Sequence, residues 1–338
     1  MKELHRPIRI GKLELRNRVV MPPMATAKSS ETGMVTDEVI EWYKERAKND
    51  RIGLIITEHS YVSRQGIARE NQLSIASDDC IEGLRRLTDT IHSYGTMTIA
   101  QLNHAGAVAA TQLTGLAAVA PSSVYPPGRA NSNEMPLQFT EEGIRQLTSD
   151  FAKAAARAKA AGYDGVEIHS AHGYLYNQFY SPLTNHRTDS YGGTLQNRMR
   201  ALMEAVQAVR SAVGNDYPIS VRLGGCDYME GGSSIADSVE AAKMLAGAGI
   251  DLLSVTGGLC RYIREGHTEP GYFQDMSIDI KKQVKVPVLL TGGIKTVDEA
   301  EELIMSQAAD LIGIGRELMR NPNWPVEQSA DLKVGSLS

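Results

Sequence analysis

The stretch "AGYDGVEI" at residues 161–168 returns as "AGIDLLSV" at 248–255 and, one residue shorter, as "AADLIGI" at 308–314. Each copy ends a helical pattern in small residues, turns at an Asp and opens a short apolar run, which is the junction of a helix with a following strand. Working outward from these three, eight such runs can be read: "RVVMPPM", "GLIITE", "TMTIAQL", "GVEIH", "PISVRL", "DLLSV", "VPVLLTGG" and "DLIGIG". Longer segments with helical spacing separate them. The clearest begins near Thr140, sets Phe151, Ala154, Ala155 and Ala158 on one face, and stops at Gly162. "TVDE" at 296–299 reads as a capping box opening another. Strand and helix in alternation imply parallel strands joined by crossovers. No Pro/Ser-rich linker divides the eight units, so the expectation is an α/β fold, a (β/α)8 TIM barrel, with residues 1–338 as one domain. A doubly wound sheet is the alternative.

Bulk composition narrows the function. A net charge of −5 and a pI near 5.9 leave no basic surplus for a nucleic-acid backbone, although local basic sites remain open. Cys80, Cys226 and Cys260 are odd in number and widely spaced, which argues against a disulfide framework, a zinc ribbon or an iron–sulfur cluster. With no apolar run of membrane-spanning length and no leader-like start, a cytoplasmic protein acting on small molecules is expected, with neither membrane nor nucleic acid as partner. A homo-oligomer stays open.

Two connections are long, 103–139 after the third strand and 172–194 after the fourth, and both leave the face where barrels carry their sites. "TGGIKT" and "GIGRELM" close the seventh and eighth strands. Gly292, Gly293 and Gly315 let backbone N–H groups approach an anion and Arg316 adds charge, as a phosphate site requires; plain turns at barrel corners would read the same way. His169 ends the fourth strand, with His172 and Tyr174 just beyond. An H-x-x-H pair with no third ligand is poor zinc evidence, so no metal is expected, whereas two ring donors and a phenol suit gripping a carbonyl oxygen and supplying a proton. Gln101 and Arg222 end the third and fifth strands, where an amide and a cation face the same mouth or serve the loops and an internal ion pair.

Together, "LRNRVVMPPM", "AQLNHAG", "EIHSAHGYLYNQFYSPLTNHRTDSYGG" with Asn197 and Arg198, "SVRL" and "GRELMRNPNWP" make the chain resemble the old yellow enzyme family, in particular its bacterial single-domain branch. The resemblance implies an FMN-dependent oxidoreductase that takes electrons from NADH or NADPH and reduces the activated C=C bond of α,β-unsaturated carbonyl compounds in a ping-pong cycle. It implies that His169 and His172 hold the substrate carbonyl and that Tyr174 protonates the alkene carbon. Gln101 would bond the flavin pyrimidine edge and Arg222 would face N1 and O2. Pro23, Met24 and Ala25 would lie beside the ring, with the phosphate on Gly292, Gly293, Gly315 and Arg316.

Departures from the family pattern stand out as well. Many bacterial relatives carry Cys and Tyr where this chain has Ala25 and Ala27, leaving Thr26 as the nearest hydroxyl, and Ala where it has His59. The tail "ADLKVGSLS" at 330–338 lacks the arginine that some relatives insert into a neighbouring subunit. Larger relatives continue into an iron–sulfur segment; without its cysteines, direct reduction by the nicotinamide is expected. A TIM-barrel isomerase or aldolase using the phosphate site, a metal-dependent hydrolase using His169 and His172, and a flavin-binding protein without turnover are the rival readings.

Overall fold

The computed structural model describes residues 2–130 and 132–324. Eight strands close a barrel: β1 (Val19–Met21), β2 (Leu54–Tyr61), β3 (Met97–Asn103), β4 (Gly165–Ser170), β5 (Ile219–Cys226), β6 (Leu252–Gly257), β7 (Val288–Thr291) and β8 (Leu311–Gly313). Each pairs in parallel with the next, and β8 returns to β1. The crossovers are α1 (Asp37–Ala47), α2 (Cys80–His92), α3 (Glu141–Ala160), α4 (Leu195–Val213), α5 (Ile235–Gly247), α6 (Gln274–Lys281) and α7 (Val297–Met305), with α8 (Arg316–Arg320) after β8.

Local chemistry fixes these elements where the sequence marks them. The Thr140 hydroxyl accepts from Gly143 N at 3.0 Å to start α3; Phe151, Ala154, Ala155 and Ala158 are buried, and Gly162 takes the left-handed turn (φ +90°) that ends the helix. Thr296 and Glu299 cap α7 reciprocally, as the "TVDE" pattern predicts.

Residue alternation along the strands divides the core in two. Val19, Met21 and Ile55 pack outward among the helices, whereas Val20, Leu54, Ile56, Ile99, Leu252, Leu289 and Leu311 form a separate cluster inside the barrel. A short antiparallel hairpin, Ile8–Ile10 with Leu13–Leu15, contributes Ile10 and Leu15 to that inner cluster and so plugs the N-terminal end. The N-terminal charges and apolar residues therefore build a floor, which their mixture alone did not reveal. The same period of two turns Ile99 and Gln101, Glu167 and His169, and Ser220 and Arg222 toward the interior, with Gln101, His169 and Arg222 nearer the C-terminal mouth.

Candidate active site

A cavity of about 470 Å³ opens at that mouth. Its wall includes His169, His172 and Tyr174 from the end of β4, Gln101 from β3, Arg222 from β5, Pro23, Met24 and Ala25 after β1, and Gly292, Gly293, Gly315 and Arg316 after β7 and β8. Every site residue expected from sequence thus faces one space.

The histidine side is a cluster of rings. His169 lies 5.2 Å, centroid to centroid, from both His172 and Tyr174. His172 sits in the left-handed region (φ +59°), a strained conformation for a non-glycine residue, held because its carbonyl accepts from Arg129 Nη1 at 2.7 Å and its Nε2 lies 3.0 Å from Thr256 Oγ1. Behind it, Asn177 Oδ1 accepts from Gly173 N, and Gln178 Nε2 donates to the carbonyls of Gly173 and Ala105. The "YNQ" of the long loop is therefore its brace. Arg198 extends this bracing by donating to the carbonyls of Tyr180 and Gly193. Burial, then the neighbouring His172 and Arg222 charges, hold His169 well below the ordinary histidine range; burial and Arg222 do the same for His172. Both rings are neutral donors at pH 7.

Deeper in, Gln101 Nε2 donates to Glu167 Oε1 at 2.8 Å and Ser220 Oγ donates to Oε2 at 2.9 Å. Burial pushes the Glu167 carboxyl up, opposed first by the Arg222 charge. Glu167 is a partner that sequence reading missed. It compensates Arg222 at a distance, without the direct ion pair considered above, and leaves the guanidinium to the cavity.

Two further features follow from backbone irregularity. The β2–β3 register shifts between Thr57 and Ser60, and this bulge brings the His59 ring into the cavity, 5.3 Å from Tyr174. Thr26 is not the substitute hydroxyl: its Oγ1 donates to Glu58 Oε1 at 2.6 Å and its N–H to Oε2 at 3.0 Å, turning it away from the cavity lining. The loop after β6 adds Arg261, Tyr262, Tyr272 and Phe273 to the lining, none of them marked by a period in the sequence. Tyr176, in contrast, is buried against Phe151 and does not reach the cavity.

A flavin phosphate fits what these residues leave open. Arg222 Nε and His169 Nδ1 are buried without hydrogen-bond partners, an uncommon state that a ligand's polar edge would relieve. Gly292 and Gly293 adopt positive φ (120° and 71°), and a Cβ at Gly293 would stand 2.7 Å from the Glu269 carbonyl. Among the described residues, no backbone group accepts from the N–H of Gly292, Gly293 or Gly315. Arg316 is exposed beside them, Nη2 donating to Tyr272 Oη at 3.2 Å. Among the described residues no lysine lines the cavity, so none of them stands there as the Schiff-base residue of an aldolase. Among the described residues, no three His, Cys, Asp or Glu side chains gather to hold a metal ion, and no helix is long and apolar enough to cross a membrane.

Residues 3–333 match the model of the NADH:flavin oxidoreductase / NADH oxidase family. The chain belongs to this family. The family is that of the old yellow enzymes, FMN-dependent oxidoreductases that use NADH or NADPH. A metal reductase of Desulforamulus reducens is 42% identical across 96% of this chain and 48% of its own length, so the chain spans about half of that relative. An NADPH dehydrogenase of Bacillus subtilis is 38% identical, covering 95% of this chain and 92% of the relative. The solved structure of a Zymomonas mobilis old yellow enzyme homologue superposes with a TM-score of 0.83 at 29% identity, over 99% of this chain and 94% of that one. For this old yellow enzyme the subunit contact expected to be lost with the tail arginine falls at 330–338, outside the described residues.

Proposed function

We propose that this old yellow enzyme is an ene-reductase, reducing the activated C=C bond of an α,β-unsaturated carbonyl compound at the expense of NADH or NADPH, with residues 1–338 acting as one FMN-binding unit. The observation that carries the reading is the ring cluster of His169, His172 and Tyr174, facing the same cavity as Arg222 and the glycine turns. When bound, FMN would supply the redox chemistry, accepting hydride from the nicotinamide and passing it to the alkene once the nicotinamide has left.

The protein's part is placement and charge. His169 and His172, both neutral, donate N–H bonds to the carbonyl oxygen, which gains negative charge as hydride arrives. A hydrogen bond donated by the Thr256 hydroxyl to His172 Nε2 would put the single ring proton on Nδ1. Tyr174 gives its phenolic proton to the α-carbon. Arg222 would stabilise negative charge on the bound flavin and Gln101 would bond its pyrimidine edge, while Pro23, Met24 and Ala25 would border the ring. Gly292, Gly293, Gly315 and Arg316 would hold the phosphate.

Anaerobic mixing of NADH-reduced protein with 2-cyclohexenone tests the activity. Return of the yellow colour with formation of cyclohexanone supports it; a reduced protein that only oxygen reoxidises contradicts it.

A further inference from the structure

We propose that His59 and Arg69 form a second ligand site on the β2 side of the cavity, for a carboxylate that the substrate carries away from the carbonyl held by His169 and His172. This inference rests on the ene-reductase reading and names its substrate class: activated alkenes that are also carboxylic acids.

The His59 tautomer is settled by its neighbours. Gln72 Oε1 accepts from Ala68 N at 2.7 Å, so the Gln72 amide nitrogen must face the other way, where it donates to His59 Nδ1 at 2.9 Å and to the His59 carbonyl at 3.1 Å. Asn103 Nδ2 reaches the same Nδ1 at 3.2 Å. With Nδ1 accepting, the one proton of the neutral ring is on Nε2. Burial, then the charges of Arg69 and Arg222, push the ring down to about 4, so it is a neutral donor at pH 7. Among the described residues Nε2 has no partner, and the ring lines the cavity with Tyr174 and His169, 5.3 and 6.4 Å away.

Arg69 lines the same cavity, is exposed, and makes no ion pair or hydrogen bond among the described residues. The carboxylate whose charge it feels, Glu58, is buried and committed to the Thr26 N–H and hydroxyl. Among the described residues, four arginines and not one Asp or Glu line the cavity, in a chain whose net charge is −5. Arg222 and Arg316 face the flavin in the reading above, which leaves Arg69 and Arg261 for other anions. A neutral N–H beside a guanidinium is a donor set for a carboxylate; a second carbonyl would draw on the N–H alone.

The test is binding of phenols to the oxidised, FMN-loaded protein, followed by the long-wavelength absorption of the phenolate against flavin. The probes are p-cresol, methyl 4-hydroxybenzoate and 4-hydroxybenzoate, titrated into wild type, Arg69→Gln and His59→Ala. The preference for 4-hydroxybenzoate over its methyl ester should fall about tenfold or more in Arg69→Gln, the size of one charge-assisted hydrogen bond, with p-cresol unchanged. In His59→Ala both benzoates should weaken relative to p-cresol. Because Arg69 is exposed, its variant decides the matter even if His59→Ala loses flavin. Equal preferences in wild type and Arg69→Gln overturn the proposal, as does a variant whose only change is weaker NADH binding, which would assign Arg69 to the nicotinamide phosphates. If FMN-loaded wild type gives no absorption band with any phenol, the ene-reductase reading of the cavity fails with it.

Discussion

Tyr174 stands at the turn after β4, its ring 5.2 Å from His169 and its face 5.5 Å from the Arg129 guanidinium carbon. Reduction of flavin by nicotinamide needs no proton from it, whereas saturation of the alkene does. Tyr174→Phe should therefore leave the first half-reaction within about twofold and slow the second by roughly 10²- to 10⁴-fold, the usual contribution of a general acid. Stopped-flow measurement of each half-reaction separates this from a packing role, which would slow both or neither. At this scale the sequence is most readable where alternation holds. Gln101, His169 and Arg222 each stand two residues from another inward side chain, so period two suffices to aim them. Glu167 has the same parity as His169, yet nothing in one strand tells that Gln101 and Ser220 from its neighbours will meet it. His59 enters through a bulge, and a bulge breaks the periodicity on which such reading depends.

Among elements, the turns after β7 and β8 stand out in the sequence by their glycines and by Arg316; in the fold Gly292 and Gly293 take positive φ, whereas Gly315 does not (φ −97°). The loop at 258–273 does not stand out, since Arg261, Tyr262, Tyr272 and Phe273 reach the cavity by an irregular path; the left-handed Arg261 (φ +67°) is visible only in the fold. Loss of Arg316 should weaken FMN binding by about 1.5–3 kcal/mol, the worth of a hydrogen bond to a charged group. Arg320, one turn further along α8 and paired with Glu317 on the surface, is the control, and Arg320→Ala should leave FMN affinity unchanged. Fluorescence titration of the apoprotein with FMN compares the two. Equal affinities would move the phosphate away from α8.

For the whole molecule, the eight-fold alternation was enough to read the barrel, because each strand needs a helix to return parallel beside it. The N-terminal plug was not, since a hairpin of two three-residue strands leaves too short a pattern. Buried histidines give the molecule a common pH response. His59 and His104 are pushed down to about 4 and about 3, each by burial first, and His104 Nδ1 accepts from Gly106 N at 3.1 Å, a bond that protonation breaks. Their folded values lie below the ordinary 6.5, so the unfolded chain binds more protons and stability is lost as pH falls from about 6.5 toward 4; His59 alone corresponds to about 3 kcal/mol. His92, raised first by its hydrogen bond to Asp164, acts in the opposite sense, contributing stability below 6.5 that is lost as pH rises past its raised value, but it is partly exposed and single. Melting temperatures of FMN-loaded protein should fall between pH 7 and pH 5, less steeply in His104→Asn, and a flat profile would mean that these rings are already solvated in the fold. The central claim is that the cavity holds FMN and passes electrons from a nicotinamide. Its most direct test is to purify the protein, identify the released cofactor by mass and titrate the holoprotein with NADH and NADPH without air. One FMN per chain should be released, and one or both reductants should bleach its visible absorption; FAD, no flavin after expression with riboflavin, or an FMN that neither nicotinamide bleaches would contradict this reading.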